Sequence, residues 1–434
     1  MDLLEKVTAL AKRRGFIYPG SEIYGGLAGF YDFGPLGTEL KFNIKQSWWR
    51  DTVQLRDDVV GLSSAIIMNP KAWEASGHVS SFSDLLVECK KCHQRFKAGD
   101  FEGICSNCGG KEFTEPRNFN TMFKTFVGPA EDTAATAYLR PETAGGIFVN
   151  FKNILDTVRV KIPFGIAQIG KAFRNEINPK DFVFRTREFE QMELEYFVRP
   201  GEDKKYFEKW VEQRFDWYKS IGLKNIRQRE QAKKERAHYS RATTDIEYKF
   251  PFGLPGQGWQ EIEGIANRGD FDLKAHMKSS GEDLSYFDEE SKEKFVPYVV
   301  EPSAGVERIL FALLCEAYHE DGDRVVLKLN SKLAPYKVAV FPLLANKPKL
   351  VELARKIYSD LKKDFVVAWD DRGNIGKRYY SQDEIGTPFA VTVDFESLEN
   401  PPAGGDVTVR DRDTTKQVRV NIGELKNYFN ERFK

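Results

Sequence analysis

A segment near the middle of the chain carries more charge than a pair of packed strands needs. Residues 173–193 read FRNEINPKDFVFRTREFEQME, with strand-like aromatic flanks on both sides of the turn signal Asn178-Pro179-Lys180-Asp181. Charged residues of both signs lie along it: Arg174, Glu176, Arg185, Arg187, Glu188, Glu190 and Glu193. Taken alone, this pattern fits either a solvated ladder of cross-strand ion pairs or a polar ligand site.

One face of this strand pair combines several kinds of ligand-binding group. Because strand side chains alternate between faces, Phe189, Gln191 and Glu193 share one face, and Arg174 and Glu176 share a face of the preceding strand. Arginine binds phosphate through two hydrogen bonds, phenylalanine stacks on a base, and carboxylates hold an ammonium group. The face therefore suits an anionic ligand with a π face and an amine. The other face carries Glu188 and Glu190, for which no ligand role is predicted.

Two further segments place charge beside glycine. LRPETAGG, residues 139–146, holds Arg140 and Glu142 and ends in paired glycines, which let the backbone approach a ligand closely. EPSAGVER, residues 301–308, leads into a helix N-terminus, where amide groups and the helix dipole favour an anion. Three such segments predict a single polar site. With neither a GxxxxGK[ST] nor a GxGxxG loop in the chain, a nucleotide is expected on an antiparallel sheet.

Four of the five cysteines form two Cys-x2-Cys knuckles twelve residues apart, at Cys89, Cys92, Cys105 and Cys108. This spacing matches the tetrahedral four-thiolate geometry of a structural zinc site. Reduced thiols without metal are the alternative, and disulfides are disfavoured in a reducing compartment. The knuckles occupy an insertion at residues 88–115. Cys315 is expected in the core.

Helical and strand patterns surround these groups. Helical periodicity or helix-start signals mark residues 3–15, 38–49, 202–220 and 303–318, and the highly charged segment 227–242 is interpreted as a solvated helix. Strand-like segments cover residues 158–173 and 182–198. In the strongly apolar 303–318 helix, Glu307 and Arg308 need a partner or ligand, because burying charge is costly.

The pattern of apolar and polar residues changes after Leu333-Ala334-Pro335. YKVAVFPLL, DFVVAWDD and TPFAVTVD read as strands, and KPKLVELARKIYSDLKK as a helix. This alternation predicts a βαβ unit with a parallel or mixed sheet, in a separate domain of about 100 residues.

Bulk composition is that of an ordinary soluble globular protein. The 434 residues suggest two or three domains, and 65 Lys and Arg balance 65 Asp and Glu, so no global charge points to nucleic acid. No apolar run approaches the roughly 20 residues that span a bilayer, and the first residues lack a signal-peptide layout. We therefore expect a cytoplasmic protein that does not enter a membrane.

Several motifs together resemble one enzyme family. FRNE with FRTREFEQMELEYF resembles motif 2 of the class II aminoacyl-tRNA synthetases, GVERIL resembles motif 3, and YDFGPLG with Trp48-Trp49 resembles the motif 1 region. More narrowly, SEIYGGLAGFYDFGPLG, LRPETAGG, REFEQMELEYF, ATTDIEY, EGIANRGDFDL and EPSAG are similar to the homodimeric, bacterial type of glycyl-tRNA synthetase. The resemblance runs from about residue 5 to the C-terminus.

The resemblance implies the architecture and the activity. The expected fold is an α+β class II catalytic domain at residues 1–330, with an antiparallel sheet flanked by helices and the zinc insertion, plus a C-terminal α/β anticodon-binding domain at residues 331–434. The implied reaction is activation of glycine with ATP to glycyl-adenylate and transfer to the 3′ end of tRNA(Gly). Mg²⁺ with ATP, structural Zn²⁺ and a homodimer are implied as well.

The resemblance also implies roles for individual residues. Arg174 would clamp the α-phosphate and the glycine carboxylate, Glu176 would hold the adenine amino group, and Phe189 would stack on the ring. Arg185 and Arg308 would grip the γ-phosphate side, with Arg174 and Arg308 as the catalytic pair. The implied ATP-binding set is Arg174, Asn175, Glu176, Phe184, Arg185, Phe189, Glu261, Ile262, Gly305 and Arg308, with Glu261 acting through Mg²⁺. The implied glycine-binding set is Glu142, Phe189, Gln191, Glu193, Glu301, Ser303 and Gly305.

The chain departs from the family pattern at a few positions. Gly145 stands where the family usually has glutamine, Gly269 replaces a common threonine, and residues 254–257 form an insertion. RFKAGD varies on RFRAD, so no amino-acid contact is assigned to Lys97. Three alternatives stay open: a non-catalytic synthetase-like protein, a zinc-ribbon nucleic-acid binder, and a synthetase of another specificity.

Overall fold

The chain folds around two sheets, one large and antiparallel, the other mixed. We describe it from a computed structural model that covers residues 2–100, 103–129, 131–237, 239–253, 258–399 and 405–433. The insertion expected at residues 254–257 lies outside these residues. No helix in the described ranges has the length and apolar character needed to cross a bilayer.

The α-helices are named in chain order: α1 Leu3–Arg13, α2 Pro35–Trp49, α3 Pro70–Ala75, α4 His78–Ser81, α5 Ala144–Val149, α6 Phe151–Thr157, α7 Asp203–Ser220, α8 Phe271–Ser280, α9 Val306–Ala317, α10 Pro348–Leu361, α11 Ile375–Ile385 and α12 Leu425–Arg432.

The strands are named in the same way: β1 Ile17–Pro19, β2 Tyr31–Phe33, β3 Val59–Gly61, β4 Ser83–Glu88, β5 Arg95–Lys97, β6 Arg117–Asn120, β7 Lys124–Phe126, β8 Thr136–Tyr138, β9 Phe164–Phe173, β10 Glu188–Val198, β11 Ile226–Glu230, β12 Ala242–Lys249, β13 Trp259–Gly269, β14 Tyr286–Asp288, β15 Glu293–Phe295, β16 Tyr298–Gly305, β17 Tyr318–Asp321, β18 Arg324–Leu327, β19 Val338–Pro342, β20 Val367–Trp369, β21 Phe389–Val393, β22 Asp406–Asp411 and β23 Gln417–Asn421.

The large sheet has seven strands in the order β11-β12-β13-β16-β10-β9-β3. Every pair is antiparallel except β3 with β9. One face packs on α2, α7 and α9, whose apolar side chains form the main core with residues such as Trp48, Trp210 and Leu310. The opposite face is free to carry polar side chains on the central strands. The fold class expected for the catalytic part is confirmed.

Register brings the three charged segments of the sequence together. Gln191 lies opposite Gly305, and Glu193 lies between Ser303 on β16 and Gln168 on β9. The 139–146 segment runs between β8 and α5, which contacts β9 and β10. Neighbouring strands are about 5 Å apart, so these side chains share one small region.

Two local predictions were wrong. Residues 227–242 do not form a helix: β11 begins at Ile226 and pairs with β12, because Arg227 and Arg229 alternate along the strand to meet Glu247. The second strand of the charged hairpin begins at Glu188, not at Phe182, and residues 182–184 form a short 3-10 helix. Asp181 and Phe182 both adopt positive φ angles, 58° and 57°, which no strand accommodates.

The C-terminal part forms the expected mixed sheet. Its order is β20-β19-β21-β22-β23, parallel within β20-β19-β21 and antiparallel at β22 and β23. It has its own apolar core, which includes Val340, Leu350, Val391 and Phe429. Polar contacts join the two parts: Asp383 pairs with Arg324 at 3.0 Å. The division at residues 330 and 331 stays a prediction.

A buried ion-pair network ties α2 to the large sheet and to α9. The ammonium of Lys41 lies 2.6 Å from Glu307 Oε1 and 2.7 Å from Glu190 Oε2, and Glu307 Oε2 accepts a 2.9 Å hydrogen bond from the Glu190 amide. Lys45 adds a 2.8 Å contact to Glu190. Burial disfavours the charge of Lys41, but the two glutamates outweigh it and raise its pKa. Glu190 and Glu307, which had no assigned partner from sequence, therefore anchor the start of α9.

We expect Lys41→Met to lower the free energy of unfolding by about 3 to 5 kcal/mol, because it leaves the buried carboxylate of Glu307 without a cation, whereas Glu190 keeps Lys45. Lys45→Met is the matched control and should cost about 1 kcal/mol, since Lys41 still neutralises Glu190. Urea unfolding followed by tryptophan fluorescence measures both. Equal losses in the two variants would contradict the network.

Candidate active site

A polar cavity of about 330 Å³ opens on the free face of the large sheet. Its walls come from β10, β12, β13 and β16, from the loop between β9 and β10, and from the first turn of α9. It brings together most of the predicted site residues: Glu142, Arg174, Glu176, Phe184, Arg185, Phe189, Gln191, Glu193, Glu261, Glu301, Ser303, Gly305 and Arg308.

Two predicted residues do not line this cavity. The side chain of Ile262 is 1% exposed and packs in the main core. Asn175 begins the β9–β10 loop, and its backbone N–H donates to the carbonyl of Thr121 at 2.7 Å. Lys97, to which no contact was assigned, pairs with Asp84 at 2.7 Å in the small β5-β4-β6 sheet.

One end of the cavity is lined by buried carboxylates: Glu142, Glu193 and Glu301. Glu193, 1% exposed, accepts hydrogen bonds from Ser303 Oγ at 2.6 Å and from the hydroxyl of Thr143. Gln191 donates to Ser303 Oγ at 3.2 Å. These contacts fix the side chains on adjacent strands.

Arg268 lies against the carboxylate end and balances part of its charge. Its guanidinium donates two 2.7 Å hydrogen bonds to Asp272 and one of 2.6 Å to Glu301 Oε1, and it stacks 3.8 Å from the centre of the Tyr239 ring. Asp272 is on the first turn of α8, four residues after Arg268. This two-sided arrangement holds Glu301 in place on β16.

The carboxylates have displaced pKa values. Burial raises the pKa of Glu301 to about 8, with repulsion from Glu193 and Glu142 added and Arg268 opposing. Burial and the charge of Glu142 raise the pKa of Glu193. Burial alone would raise the pKa of Glu142, but His78, Arg268 and Arg174 outweigh it and lower the value to about 2. This end of the cavity therefore holds one firmly ionised carboxylate and others that retain a proton more easily.

The opposite end is cationic. Arg174 donates from Nε to the carbonyl of Pro141 at 3.0 Å, and its guanidinium lies 5.3 Å from the centre of the Phe189 ring. Arg308 donates to the carbonyls of Phe184 at 3.2 Å and Glu261 at 3.0 Å. Arg185 lines the same end. The backbone thus positions the guanidinium groups of Arg174 and Arg308, and two aromatic rings lie beside them.

Sequence reasoning missed an acidic wall on β12. Asp245 lines the cavity, accepts hydrogen bonds from Gln231 Nε2 at 2.9 Å and from Arg229 Nη2 at 2.7 Å, and has a pKa raised to about 6 by burial and by Glu261. The segment ATTDIEY alternates so that Thr243, Asp245 and Glu247 share a face. This alternation in the sequence could have indicated that Asp245 belongs to the site.

The far face of β10 uses its glutamates for structure. Glu188 pairs with Lys171 on β9, and Glu190 belongs to the Lys41 network. Ion pairs across strands and the polar cavity therefore lie on opposite faces of this strand pair.

The four knuckle cysteines form a compact cluster. The sulfur atoms of Cys89, Cys92, Cys105 and Cys108 all lie within 4.8 Å of one another, and none is in a disulfide. Cβ atoms are absent at Gly110, where one would approach the sulfurs of Cys89 and Cys108 to 3.2 and 3.3 Å. Four thiolates at this spacing could hold a tetrahedral metal ion.

Comparison with known proteins accounts for both parts of the chain. Residues 123–317 match the tRNA synthetase class II core domain (G, H, P, S and T), and residues 337–432 match an anticodon binding domain. The glycine–tRNA ligase of Geobacillus kaustophilus is 51% identical over 465 aligned residues, covering 99% of this chain and 98% of that protein. Those of Caldanaerobacter subterraneus and Streptomyces coelicolor are 52% and 50% identical, with 99% and 98% coverage in each case. The chain belongs to the glycine–tRNA ligase family.

The family assignment fits the geometry of both ends of the cavity. The class II core match, residues 123–317, contains all of the residues that line the cavity in the described part of the chain. The anticodon-domain match spans the mixed sheet from its first strand to α12. The glycine–tRNA ligase fold was thus identified correctly from the motifs in the sequence.

Proposed function

We propose that this protein activates glycine with ATP to glycyl-adenylate, releases pyrophosphate, and transfers the glycyl group to the 3′ end of tRNA(Gly). One observation carries the proposal: a single cavity of the class II core has arginines and aromatic rings at one end and buried carboxylates at the other. The cationic end suits a nucleoside triphosphate, and the carboxylate end suits an ammonium group.

The nucleotide is proposed to lie at the cationic end. Phe189 would stack on the adenine, Glu176 would accept from its amino group, and Arg174 would bridge the α-phosphate and the glycine carboxylate. Arg185 and Arg308 would bind the outer phosphates. Phe184 lines this part of the cavity, and Asn175 and Ile262 would act through the backbone around it.

Glycine is proposed to bind at the carboxylate end. Its ammonium would lie among Glu142, Glu193 and Glu301, with Ser303, Gln191 and the Gly305 backbone completing the pocket. Carboxylates that surround the ammonium would crowd out any side chain on the substrate. Rejection of alanine would then be steric, which is easier than rejection of a smaller substrate.

Adenylate formation here requires positioning and charge stabilisation. A carboxylate oxygen of glycine attacks the α-phosphorus in line, a new P–O bond forms, and the bond to the pyrophosphate oxygen breaks. Arg174, at the cationic end of the cavity, would neutralise charge that develops on the α-phosphate. No proton transfer is required in this step, so no general base is assigned.

Mg²⁺ is proposed as the metal that accompanies ATP. Glu261 lines the cavity with an accessible carboxylate. Carboxylate oxygens are the ligands this ion prefers, so this residue fits it. When bound, the ion would offset phosphate charge.

Further proposals concern the assembly. We propose a homodimer, because large apolar side chains are exposed beside α2: Ile23, Tyr24, Leu27, Phe42 and Leu55. We propose that residues 1–330 form the catalytic domain and that residues 331–434 read the anticodon. The proposed site of action is the cytoplasm. Of the rivals, a non-catalytic paralogue is disfavoured by the presence of Arg174, Arg308, Glu142 and Glu193 in one cavity.

The decisive experiment is ATP–pyrophosphate exchange with each standard amino acid. Glycine alone should stimulate exchange, and Arg174→Ala should abolish it, because the α-phosphate loses its main cation. Arg199→Ala is the matched control: this arginine follows β10 but pairs with Glu293 at the surface, and its loss should leave exchange intact. Stimulation by another amino acid, or near-normal exchange in Arg174→Ala, would overturn the proposal.

Glycine binding should strengthen as the pH rises from 6 to 8. The raised pKa values of Glu301 and Glu193 mean that the free pocket holds an extra proton at neutral pH, and the ammonium must displace it. The effect is at most about tenfold per pH unit for one proton and disappears above about pH 8. The KM for glycine measured against pH tests this. A flat profile from pH 6 to 8 would contradict it.

The cysteine cluster is proposed to bind one structural Zn²⁺. Cys105→Ser should reduce bound zinc from about one per chain to near zero, because a tetrahedral site needs all four thiolates. Cys315→Ala is the control, since this cysteine is buried in α9 far from the cluster in sequence, and it should retain zinc. Elemental analysis of the purified proteins decides, and wild-type zinc in Cys105→Ser would refute the site.

A further inference from the structure

A buried histidine contacts the ionised carboxylate of the pocket from behind. His78 is the first residue of α4 and is 7% exposed. Its Nε2 lies 3.4 Å from Glu142 Oε2, and its Nδ1 lies 2.8 Å from the hydroxyl oxygen of Ser76. The ring packs edge-on against Trp73 and tilted against Phe82. His78 does not itself line the cavity, so it reaches a ligand only through Glu142.

Two contacts fix the orientation of the imidazole ring. Nδ1 faces the Ser76 hydroxyl, which also lies 3.3 Å from the carbonyl oxygen of Trp73. Nε2 faces a carboxylate oxygen of Glu142 across 3.4 Å. Two lone pairs at this distance would repel, so a proton lies between Nε2 and the carboxylate.

The surroundings favour the ionised form of Glu142. Its low pKa, about 2, reflects His78 first among its charged neighbours, then Arg268 and Arg174. Glu142 is thus a carboxylate held against the imidazole ring. Other charged or titratable groups near this pair are Glu193, Glu301 and His276.

We propose that His78 is a positioning residue for glycine: it holds one oxygen of Glu142 and leaves the other free to receive the substrate ammonium. The inference rests on the proposed function of the cavity and adds to it a residue behind the pocket. Ser76 has a supporting part, since its hydroxyl fixes the orientation of the ring. The two aromatic neighbours limit the ring to this position.

The role differs from ordinary packing in what it predicts for the two substrates. A histidine that only filled space would affect ATP and glycine alike when it is replaced, through a general loss of order. A histidine that holds Glu142 should affect glycine alone. The ratio of the two KM values therefore separates the explanations.

The test compares three variants of the full-length protein in ATP–pyrophosphate exchange. His78→Phe keeps a ring between Trp73 and Phe82 but removes the contact with Glu142, and should raise the KM for glycine roughly 10- to 100-fold, the value of a hydrogen bond to a charged group. The KM for ATP should stay within about twofold of wild type. His78→Gln, which can offer a neutral N–H, should recover part of the loss.

Ser80→Ala is the matched control, because this exposed residue lies on the same short helix and bonds only the Gly77 carbonyl among the described residues. It should behave as wild type.

Ser76→Ala should raise the KM for glycine by less than His78→Phe, and it keeps the test valid if the phenylalanine variant does not fold. A parallel rise in both KM values, or an unchanged KM for glycine in His78→Phe and Ser76→Ala, would overturn the inference. Absence of glycine-dependent exchange in the wild type would instead overturn the proposed function.

Discussion

The burial of several carboxylates in one small pocket is the constraint on which the rest of the site depends. Glu142, Glu193 and Glu301 lie in the same cavity with little solvent, where like charges repel strongly and each loses its hydration. Arg268 supplies compensating charge, and His78 contacts Glu142, each from outside the cavity. The compensation is incomplete, as the raised pKa values of Glu193 and Glu301 indicate. An ammonium group would complete it.

The fold meets this constraint by separating its ion pairs. Lys41 neutralises Glu190 and Glu307 on the side of the sheet that packs against α2 and α9. Lys41 is therefore not available to pair with the carboxylates of the pocket. The alternation of β10 sends Glu190 to that side and Glu193 to the other. One strand therefore contributes both to stability and to the site.

Local patterns predicted what lies within one strand or loop and failed where distant segments meet. Alternation along β10 correctly grouped Phe189, Gln191 and Glu193, and the cysteine spacing identified the cluster. The charged segment 227–242 has no local feature that distinguishes a solvated helix from an edge strand, and pairing with Asp245 and Glu247 on β12 decides it. The contact of His78 with Glu142 joins α4 to the loop before α5, and no spacing within the sequence indicates it.

A further buried carboxyl group, that of Glu195, lies beneath the pocket. It is 0% exposed, and neither oxygen has a hydrogen-bond partner within the described part of the chain. The register on both sides of it, Glu193 with Ser303 and Tyr196 with Val300, sets it beside Glu301. Burial and the charge of Glu301 raise its pKa well above the ordinary value, which favours the neutral acid. An ionised Glu195 would compete with Glu301 for Arg268. A protonated Glu195 leaves the negative charge of this region on the carboxylates that line the cavity.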